Sequence, residues 1–333
     1  MAFPTSTTDV IVGAIESRRK KVQDNITKNN ALLTHLKEKG RILFVTGGNI
    51  ILEELSFAEN GNANYYSGYD LLPVAAQDVI GAAQFTLKQA AVPVVISGLE
   101  LLQNDGREKQ LDLMEARLGV AEGTLANIIT QGLYSDGTIF NGKALVGLDA
   151  AAEATVTASQ TSTYGGISRT NFSFWRSQCT STSADISTAA KCQGVMNALW
   201  ATTIRGADMP DFGIMDNNFW ADWTASLQVI TRFLDAKKAS LGFMTQQYMG
   251  ADIYLDGGIG GFAGSAVSTE GTCYFLNSKF LKFRPHKDRN FVALSPNRRY
   301  AVNQDAEVAI LAFAGAFTCS GARFSGRVKA TTV

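Results

Sequence analysis

Histidine and closely spaced cysteine are nearly absent from this sequence. Its 333 residues include two histidines and four cysteines. The cysteines stand far apart, at Cys179, Cys192, Cys273 and Cys319, and neither histidine lies near one of them in sequence. Zinc sites draw on Cys and His at short spacings, so no metal site is expected. Because the chain shows no export signal, we expect the cysteines to be reduced, small apolar side chains.

Excess charge and long apolar runs are absent as well. Charged residues make up 18% of the chain, and the formal net charge is zero. A dedicated nucleic-acid-binding protein would carry a basic surface, so this class is disfavoured. No run of about 18 uninterrupted apolar residues occurs, so no membrane span is expected. The N-terminal charges follow a short apolar run, which is the reverse of the order in a secretory signal peptide.

The sequence motifs of common enzymes are also missing. Neither GxxxxGK[ST] nor GxSxG occurs, and the only histidines are His35, among lysines, and His286, in a basic segment interpreted as a solvated loop. Glu53 and Glu54 are adjacent, so in a strand they face opposite sides and cannot act as a carboxylate pair. The glycine-rich segment 256–265 matches a dinucleotide fingerprint only weakly, because no helix follows its glycines. We therefore expect no catalytic residue and no cofactor.

The N-terminal segment is the most basic part of the chain. Residues 1–41 contain eight Lys or Arg residues and four acids, a net charge of +4. The segment has too few apolar residues for a core of its own, although a short helical piece is predicted around Leu32, Leu33 and Leu36. These features indicate an arm that lies on another surface.

Residues 41–97 contain two strand-like apolar runs, separated by the polar, glycine-bearing segment 58–73. If the runs pair, they form one long hairpin, in which an arm of ten residues reaches about 33 Å. Such a ribbon is marginal alone in water, so either its own core or a neighbouring subunit must cover it. We predict Tyr65, Tyr66 and Tyr69, near the tip of this hairpin, as contacts with another subunit.

Helical periodicity dominates the next part of the chain. It predicts an unusually long helix over 105–134 and two further helices over 186–204 and 218–237, with a buried strand over 211–215 between these two. Strand-like segments then continue to residue 330. The helix–strand–helix unit followed by strands indicates a mixed α and β fold.

The segment 162–177 reads STYGGISRTNFSFWRS. Its glycine pair beside arginine suggests a phosphate site, but no helix N-terminus follows the glycines, so a turn is the better interpretation. Arginine beside aromatic residues is also typical of protein interfaces. Arg169, Trp175 and Arg176 are therefore candidates for contacts between subunits, with packing inside the subunit as the open alternative.

Taken in order, these elements resemble the major capsid protein of tailed double-stranded DNA bacteriophages, which has the Hong Kong 97-like fold. The phrases that carry the resemblance are YYSGYDLL (65–72), FTLKQAAVPVVISGLE (85–100), LYSDGT (133–138), GLDAAAE (147–153), YGGISR (164–169), FWR (174–176) and GAFTCSGARFSGRVKA (315–330). None of them is a catalytic motif. Their joint order extends over essentially the whole chain and implies an α+β fold.

The resemblance also implies a division of the chain. It places an N-terminal arm at 1–40, a lead-in strand at 41–48, an extended hairpin loop at 49–92, a peripheral domain at 93–146 with its spine helix at 105–134, an axial domain at 147–284, return strands of the peripheral domain at 286–319, and a C-terminal strand of the axial domain at 320–333. In this family the extended loop lies across the peripheral domain of the adjacent subunit.

The implied function is structural. Copies would form pentamers and hexamers that close into an icosahedral shell around the phage genome, assembled in the cytoplasm of the host bacterium and found in the virion. The implied partners are other copies, a separate scaffolding protein, a portal and, in some relatives, a cement or decoration protein. Non-specific contact with packaged DNA, or a merely solvated face, is expected for the basic cluster of Arg18, Arg19, Lys20 and Lys21.

Two alternatives stay open. The first is the shell protein of an encapsulin compartment, which would enclose an enzyme cargo. The second is a nucleotide-using α/β enzyme built on residues 147–284, whose support is the glycine-rich segment and the helix–strand–helix unit.

Overall fold

Helices and strands alternate irregularly along the chain, and the strands gather into two main sheets. The computed structural model describes residues 30–97, 99–100, 107–227, 245–256, 271–294, 299–300 and 306–332. The mixed α and β fold that the sequence predicts is confirmed. The glycine-rich segment 256–265, apart from its first residue, lies outside the described residues, as does the basic cluster of Arg18, Arg19, Lys20 and Lys21.

The described elements are numbered in chain order. The helices are α1 (Ala31–Glu38), α2 (Arg107–Leu133), α3 (Ile139–Gly142), α4 (Leu148–Ala151), α5 (Ala189–Thr203) and α6 (Asn217–Ser226). The strands are β1 (Ile50–Ser56), β2 (Ile80–Thr86), β3 (Lys88–Ser97), β4 (Thr163–Tyr164), β5 (Ile167–Ser168), β6 (Gln178–Cys179), β7 (Ala184–Asp185), β8 (Phe212–Met215), β9 (Thr245–Tyr248), β10 (Ala251–Leu255), β11 (Thr272–Leu276), β12 (Leu281–Ala293), β13 (Arg299–Tyr300), β14 (Ala306–Cys319) and β15 (Gly326–Thr332).

The long strand β14 is the centre of a four-stranded antiparallel sheet. It pairs with β3 along one edge and with β12 and β13 along the other. Because β14 has neighbours on both edges and is largely buried, its near-continuous apolar sequence fits a central strand. Helix α2 packs on this sheet, where Leu118 and Ala121 meet Val94, Ile96 and Ala309.

The second sheet has seven strands of mixed direction. Its order is β6-β15-β11-β8-β10-β9, with β7 also paired to β15. The C-terminal strand β15 therefore lies inside this sheet. Helices α5 and α6 pack with it through a second apolar cluster that includes Trp200, Phe219 and Trp223. Asp216 caps α6, because its carboxylate accepts a hydrogen bond of 2.8 Å from the backbone N–H of Phe219.

The long helix is confirmed over Arg107–Leu133, and residues 105 and 106 of the prediction lie outside the described residues. Its 27 residues span about 40 Å at 1.5 Å per residue. The chain leaves the helix and then crosses back over its C-terminal end at Gly147. A Cβ atom at Gly147 would lie 2.1 Å from the carbonyl oxygen of Leu133, so only glycine fits this crossing.

The two shorter helices differ from their predictions mainly at their ends. Helix α5 covers Ala189–Thr203 within the predicted 186–204, and α6 ends at Ser226. Residues 228–237 of the second prediction lie outside the described part of the chain. The predicted strand between these helices is β8. Helix ends depend on capping contacts more than on periodicity. The observed ends therefore differ from the predicted ones, although both helices are present.

The predicted hairpin is shorter than the sequence suggests. Strands β1 and β2 pair antiparallel from Ile50 opposite Thr86 to Ser56 opposite Ile80, and residues 57–79 contain neither helix nor strand. The second apolar run divides at Leu87, because β3 pairs over ten residues with β14 instead of continuing the hairpin. The ladder of seven residues reaches about 23 Å, not about 33 Å.

The segment predicted as a lead-in strand forms isolated parallel bridges instead of a strand. Ile42 bridges to Phe283 and Val45 to His286, so the segment follows the edge of β12. Helix α1 comes just before it and is more deeply buried than its charged neighbourhood suggests. Its leucines and His35 are all buried, and Asn30 caps the helix by accepting a hydrogen bond of 3.1 Å from the backbone N–H of Leu33.

Candidate assembly surface

The hairpin of β1 and β2 has one buried face and one exposed face. Along β1, Ile51, Glu53 and Leu55 point inward, whereas Ile50, Leu52, Glu54 and Ser56 point to solvent. The opposite orientation of Glu53 and Glu54 confirms that they are not a carboxylate pair. The alternation follows from the two-residue period of a strand, and it leaves exposed apolar side chains on the outer face.

Glu53 is a buried charge in the middle of the inner face. Its carboxylate lies 2.6 Å from the Lys282 ammonium and 2.5 Å from the Arg284 guanidinium, and the Thr318 hydroxyl donates a hydrogen bond of 2.9 Å to it. Burial acts to raise the pKa of Glu53, but the Lys282 and Thr318 hydrogen bonds and the charges of Arg284 and Lys282 outweigh it and lower that pKa. The hairpin is therefore fixed to β12 and β14 by charge as well as by apolar packing.

The glycine pair of the segment 162–177 lies against the hairpin. The carbonyl oxygen of Gly165 accepts a hydrogen bond of 2.8 Å from the backbone N–H of Gln84 in β2. Gly165 has φ +58, and a Cβ atom there would lie 3.0 Å from the ring of Phe85 and 3.1 Å from Ala83. The turn thus supports the hairpin, and the positive φ and close contacts of Gly165 explain the glycine at this position.

Arg169 is almost completely buried, with 1% of its surface exposed. Burial lowers the pKa of its guanidinium, although the carboxylate of Glu153, 3.0 Å away, acts in the opposite direction. All of its nitrogens donate hydrogen bonds within the same chain, and the acceptors are Glu153, Ser162 and the carbonyl oxygens of Ala150, Ala151 and Trp175. An arginine with this many internal acceptors is a structural group of the subunit.

Trp175 is also buried, and Arg176 is half-buried beside it. The indole N–H of Trp175 donates a hydrogen bond of 2.9 Å to the carbonyl oxygen of Tyr164. Arg176 donates to the carbonyl oxygens of Arg169, at 2.8 Å, and Ala158, at 3.1 Å. Of the two alternatives that the sequence leaves open, this geometry favours packing inside the subunit for all three residues.

The tip of the hairpin is exposed, in contrast to its base. Tyr65 and Tyr69 are 101% and 106% exposed, Leu71 is 98% exposed, and Tyr66 is exposed to a smaller degree. The segment is nevertheless shaped by its own polar contacts, since the backbone N–H of Ser67 donates a hydrogen bond of 2.8 Å to the carboxylate of Asp70. Within the described residues these large side chains have no cover, and such exposed groups are typical of surfaces that meet another molecule.

Other kinds of site find no support in the part of the chain that the structure describes. No group of three or more His, Cys, Asp or Glu residues there is placed to hold a metal ion. No helix in those same ranges combines the length and the apolar character that crossing a membrane requires. The four cysteines are buried thiols without disulfide partners.

Solved capsid structures match nearly the whole chain. The cyanophage A-1(L) capsid matches with a TM-score of 0.64 and 17% identity, over 90% of this chain and 93% of that chain. The capsid of a native GTA particle matches with a TM-score of 0.56 and 12% identity, over 89% and 90%. The capsid of Myoviridae phage XM1 matches with a TM-score of 0.53 and 11% identity, over 88% and 91%.

At these identities the likeness shows the fold. The chain has the Hong Kong 97-like capsid fold, as the resemblance implied. No family model and no curated protein matches the sequence.

Proposed function

We propose that this protein is the structural subunit of a phage head, which assembles with copies of itself into an icosahedral shell around double-stranded DNA. The observation that carries the proposal is the match to capsid structures along about nine-tenths of both chains. A match of that extent leaves little of the chain for a separate activity. We therefore propose a structural role without catalysis.

The exposed hairpin tip supports assembly independently of the comparisons. Its apolar side chains would be costly to leave in water, and a second copy of the chain can supply their cover. A contact between a projecting hairpin and a different surface of the next copy is heterologous, and such contacts close into rings when the rotation between copies permits. Pentamers and hexamers are the rings that an icosahedral shell requires.

The finer parts of the proposal follow the family. The four-stranded sheet with α2 would be the peripheral domain, the seven-stranded sheet would be the axial domain, and the hairpin would be the extended loop. A separate scaffolding protein, a portal, packaged DNA and, in some shells, a decoration protein would be partners. The protein would be assembled in the host cytoplasm and would end up in the virion.

Expression followed by size-exclusion chromatography and electron microscopy tests this proposal. We expect rings or closed shells, formed either by the protein alone or with its scaffolding protein. A strictly monomeric chain in every condition, including virions that contain it, would contradict the proposal.

The content of the particles distinguishes a phage head from an encapsulin compartment. Nuclease-protected double-stranded DNA in particles purified from their natural source supports a phage head. A folded enzyme inside the particles would instead favour the encapsulin alternative.

A further inference from the structure

A partly open, mainly apolar pocket lies between α2, the first residues of β3 and the segment that follows α3. It has a volume of about 250 Å³, and its apolar walls include Ile128, Ile129, Leu145 and Phe313. Phe313 is held in place from behind by the rings of Phe283 and Phe291. The volume is sufficient for one or two large apolar side chains, and nothing in the described chain fills it.

Two lysines give this pocket a positive charge. Lys88 and Lys143 line it, and no acidic residue of the described chain does. The ammonium group of Lys88 donates a hydrogen bond of 3.0 Å to the carbonyl oxygen of Gly142, which holds Lys88 near Lys143. A third cation, Arg289, donates a hydrogen bond of 3.1 Å to the side-chain oxygen of Gln89, and Gln89 also lines the pocket. An apolar interior with a cationic rim fits an apolar group that has a carboxylate beside it.

The rim also contains strained backbone. Phe140 and Asn141 both have positive φ, at 52 and 58, a conformation that residues other than glycine adopt at a cost. Phe140 lines the pocket while 53% of it stays exposed. Strain of this kind concentrates where a surface is held ready for a ligand.

The hairpin tip has the complementary composition. Residues 57–79 contain three acids, Glu59, Asp70 and Asp78, and no lysine or arginine. Among these acids, Asp70 directly precedes two exposed leucines, Leu71 and Leu72. Asp70 therefore places a carboxylate beside an exposed apolar side chain. This combination is complementary to an apolar pocket that is lined by lysines.

We propose that the tip of a second copy docks in this pocket, with the Leu71 side chain inside it and the Asp70 carboxylate between Lys88 and Lys143. The inference rests on the proposed function, in which the hairpin is the extended loop that lies on the α2 and β14 region of the next copy. It adds the residues that set the register of the hairpin on its neighbour. A second pocket with arginines, Arg205 and Arg323, lies at the hairpin base, but there Arg205 already faces Glu59 of the same chain at 3.9 Å.

Charge reversal tests the pairing in assembly. Asp70→Lys alone, and Lys88→Glu together with Lys143→Glu, should each reduce the yield of sedimenting particles at least about tenfold. The three changes combined should restore most of that yield. The controls are Asp78→Lys, in the same loop, and Lys287→Glu, at an exposed position outside the pocket. Both should assemble as the unchanged chain does. Equal effects of Asp70→Lys and Asp78→Lys, or no recovery in the combined variant, would overturn the inference.

A peptide assay separates this inference from the proposed function. The probe is a fluorescent peptide of residues 65–76, titrated into the full-length chain below the concentration at which it assembles. We expect binding that weakens with salt and decreases at least about tenfold for the Lys88→Glu, Lys143→Glu chain or for a peptide with Asp70→Lys. Equal binding to the unchanged and double-variant chains contradicts the pocket even where shells form. Selective binding without shells in any condition supports the pocket and contradicts the proposed function.

Discussion

The hairpin tip and the segment 162–177 contain similar residues, yet the chain exposes the tyrosines of the tip and buries Tyr164, Arg169 and Trp175 of the segment. Both are rich in aromatic side chains and glycine. The sequence predicts subunit contacts for the tip, whereas for Arg169, Trp175 and Arg176 it leaves subunit contacts and packing inside the subunit as open alternatives. Tyr65 and Tyr69 are fully exposed, whereas Arg169 and Trp175 are each 1% exposed. Aromatic composition by itself therefore does not distinguish an interface from a core.

The difference lies in the polar partners that each segment finds inside its own chain. Every nitrogen of Arg169 has an acceptor, and the indole of Trp175 has one too, so both residues can be buried without an unpaired donor. The tip forms local contacts between its own polar groups, but no sheet or helix of the described residues covers its tyrosines. The changes below, in order of decreasing expected effect on subunit stability, test this contrast.

Arg169→Ala should give the largest loss of subunit stability. The change leaves Glu153 and three carbonyl oxygens without their donor in the interior, and we expect a loss of about 3–5 kcal/mol in the free energy of unfolding. Chemical denaturation monitored by tryptophan fluorescence measures it. Arg176→Ala is the control, because Arg176 is half-buried and should cost about 1 kcal/mol. Similar values for the two variants would contradict the internal role of Arg169.

Glu53→Gln should weaken the attachment of the hairpin by about 2–4 kcal/mol at neutral pH, because Lys282 and Arg284 lose their counter-charge. The pKa of Glu53 is lowered in the folded state, so its stabilising effect is complete above the unfolded pKa of about 4.3 and disappears as the pH falls through the lower folded value. Unfolding measured between pH 3 and 7 should therefore show the stability difference between the two proteins decreasing as the pH falls below the unfolded pKa of about 4.3.

Glu54→Gln is the matched control for that experiment. It changes the next residue on the outer face of the same strand, and it should alter stability by no more than about 0.5 kcal/mol at any of these pH values. A Glu54 effect as large as that of Glu53 would mean that the hairpin faces are assigned the wrong way round.

Gly165→Ala should cost about 2 kcal/mol, from its positive φ and from the crowding of the new methyl group against Phe85 and Ala83. Gly166 also has a positive φ, of 77, but the atom nearest to a Cβ there would be 3.9 Å away. Gly166→Ala should therefore cost only about 1 kcal/mol. Thermal unfolding of the two variants isolates the packing of the turn against the hairpin. Equal losses would show that the turn does not support β2.

Replacing Tyr65, Tyr66 and Tyr69 together by alanine should have the smallest effect on the isolated subunit. We expect a change within about 0.5 kcal/mol in unfolding, because these side chains are exposed in the single chain. Assembly measured by sedimentation should nevertheless weaken. Unfolding of the isolated subunit by these changes would show that the tyrosines belong to a core and not to a projecting tip.

Local patterns allowed most elements to be predicted. The long helix, α5, the beginning of α6, β8 and the strands near the C-terminus all follow from periodicity, because backbone geometry sets which side chains share a face. The length of the hairpin could not be predicted in this way. The run through residue 97 is strand-like throughout, and only the competing partner β14 divides it at Leu87.

The candidate assembly surface was predicted only in part. The tyrosines of the tip stand in a polar, glycine-bearing segment, and that context indicated exposure. No local signal identified Arg169 as an internal group, since its carboxylate partner is 16 residues away and two of its acceptors are backbone carbonyls of α4. The pocket was also missed, because it joins residues from β3, α2, the end of α3 and β14.

The sequence by itself determined the kinds and order of most of the long elements, the lack of common enzyme motifs and the opposite orientation of Glu53 and Glu54. These depend on side-chain chemistry and on the periods of helix and strand, which are properties of neighbouring residues. The tertiary structure alone decided that Glu53 meets Lys282, 229 residues further along the chain, and that Arg169 is internal while Tyr69 is exposed. Burial and charge pairing depend on which distant segments come together, and no local pattern specifies that.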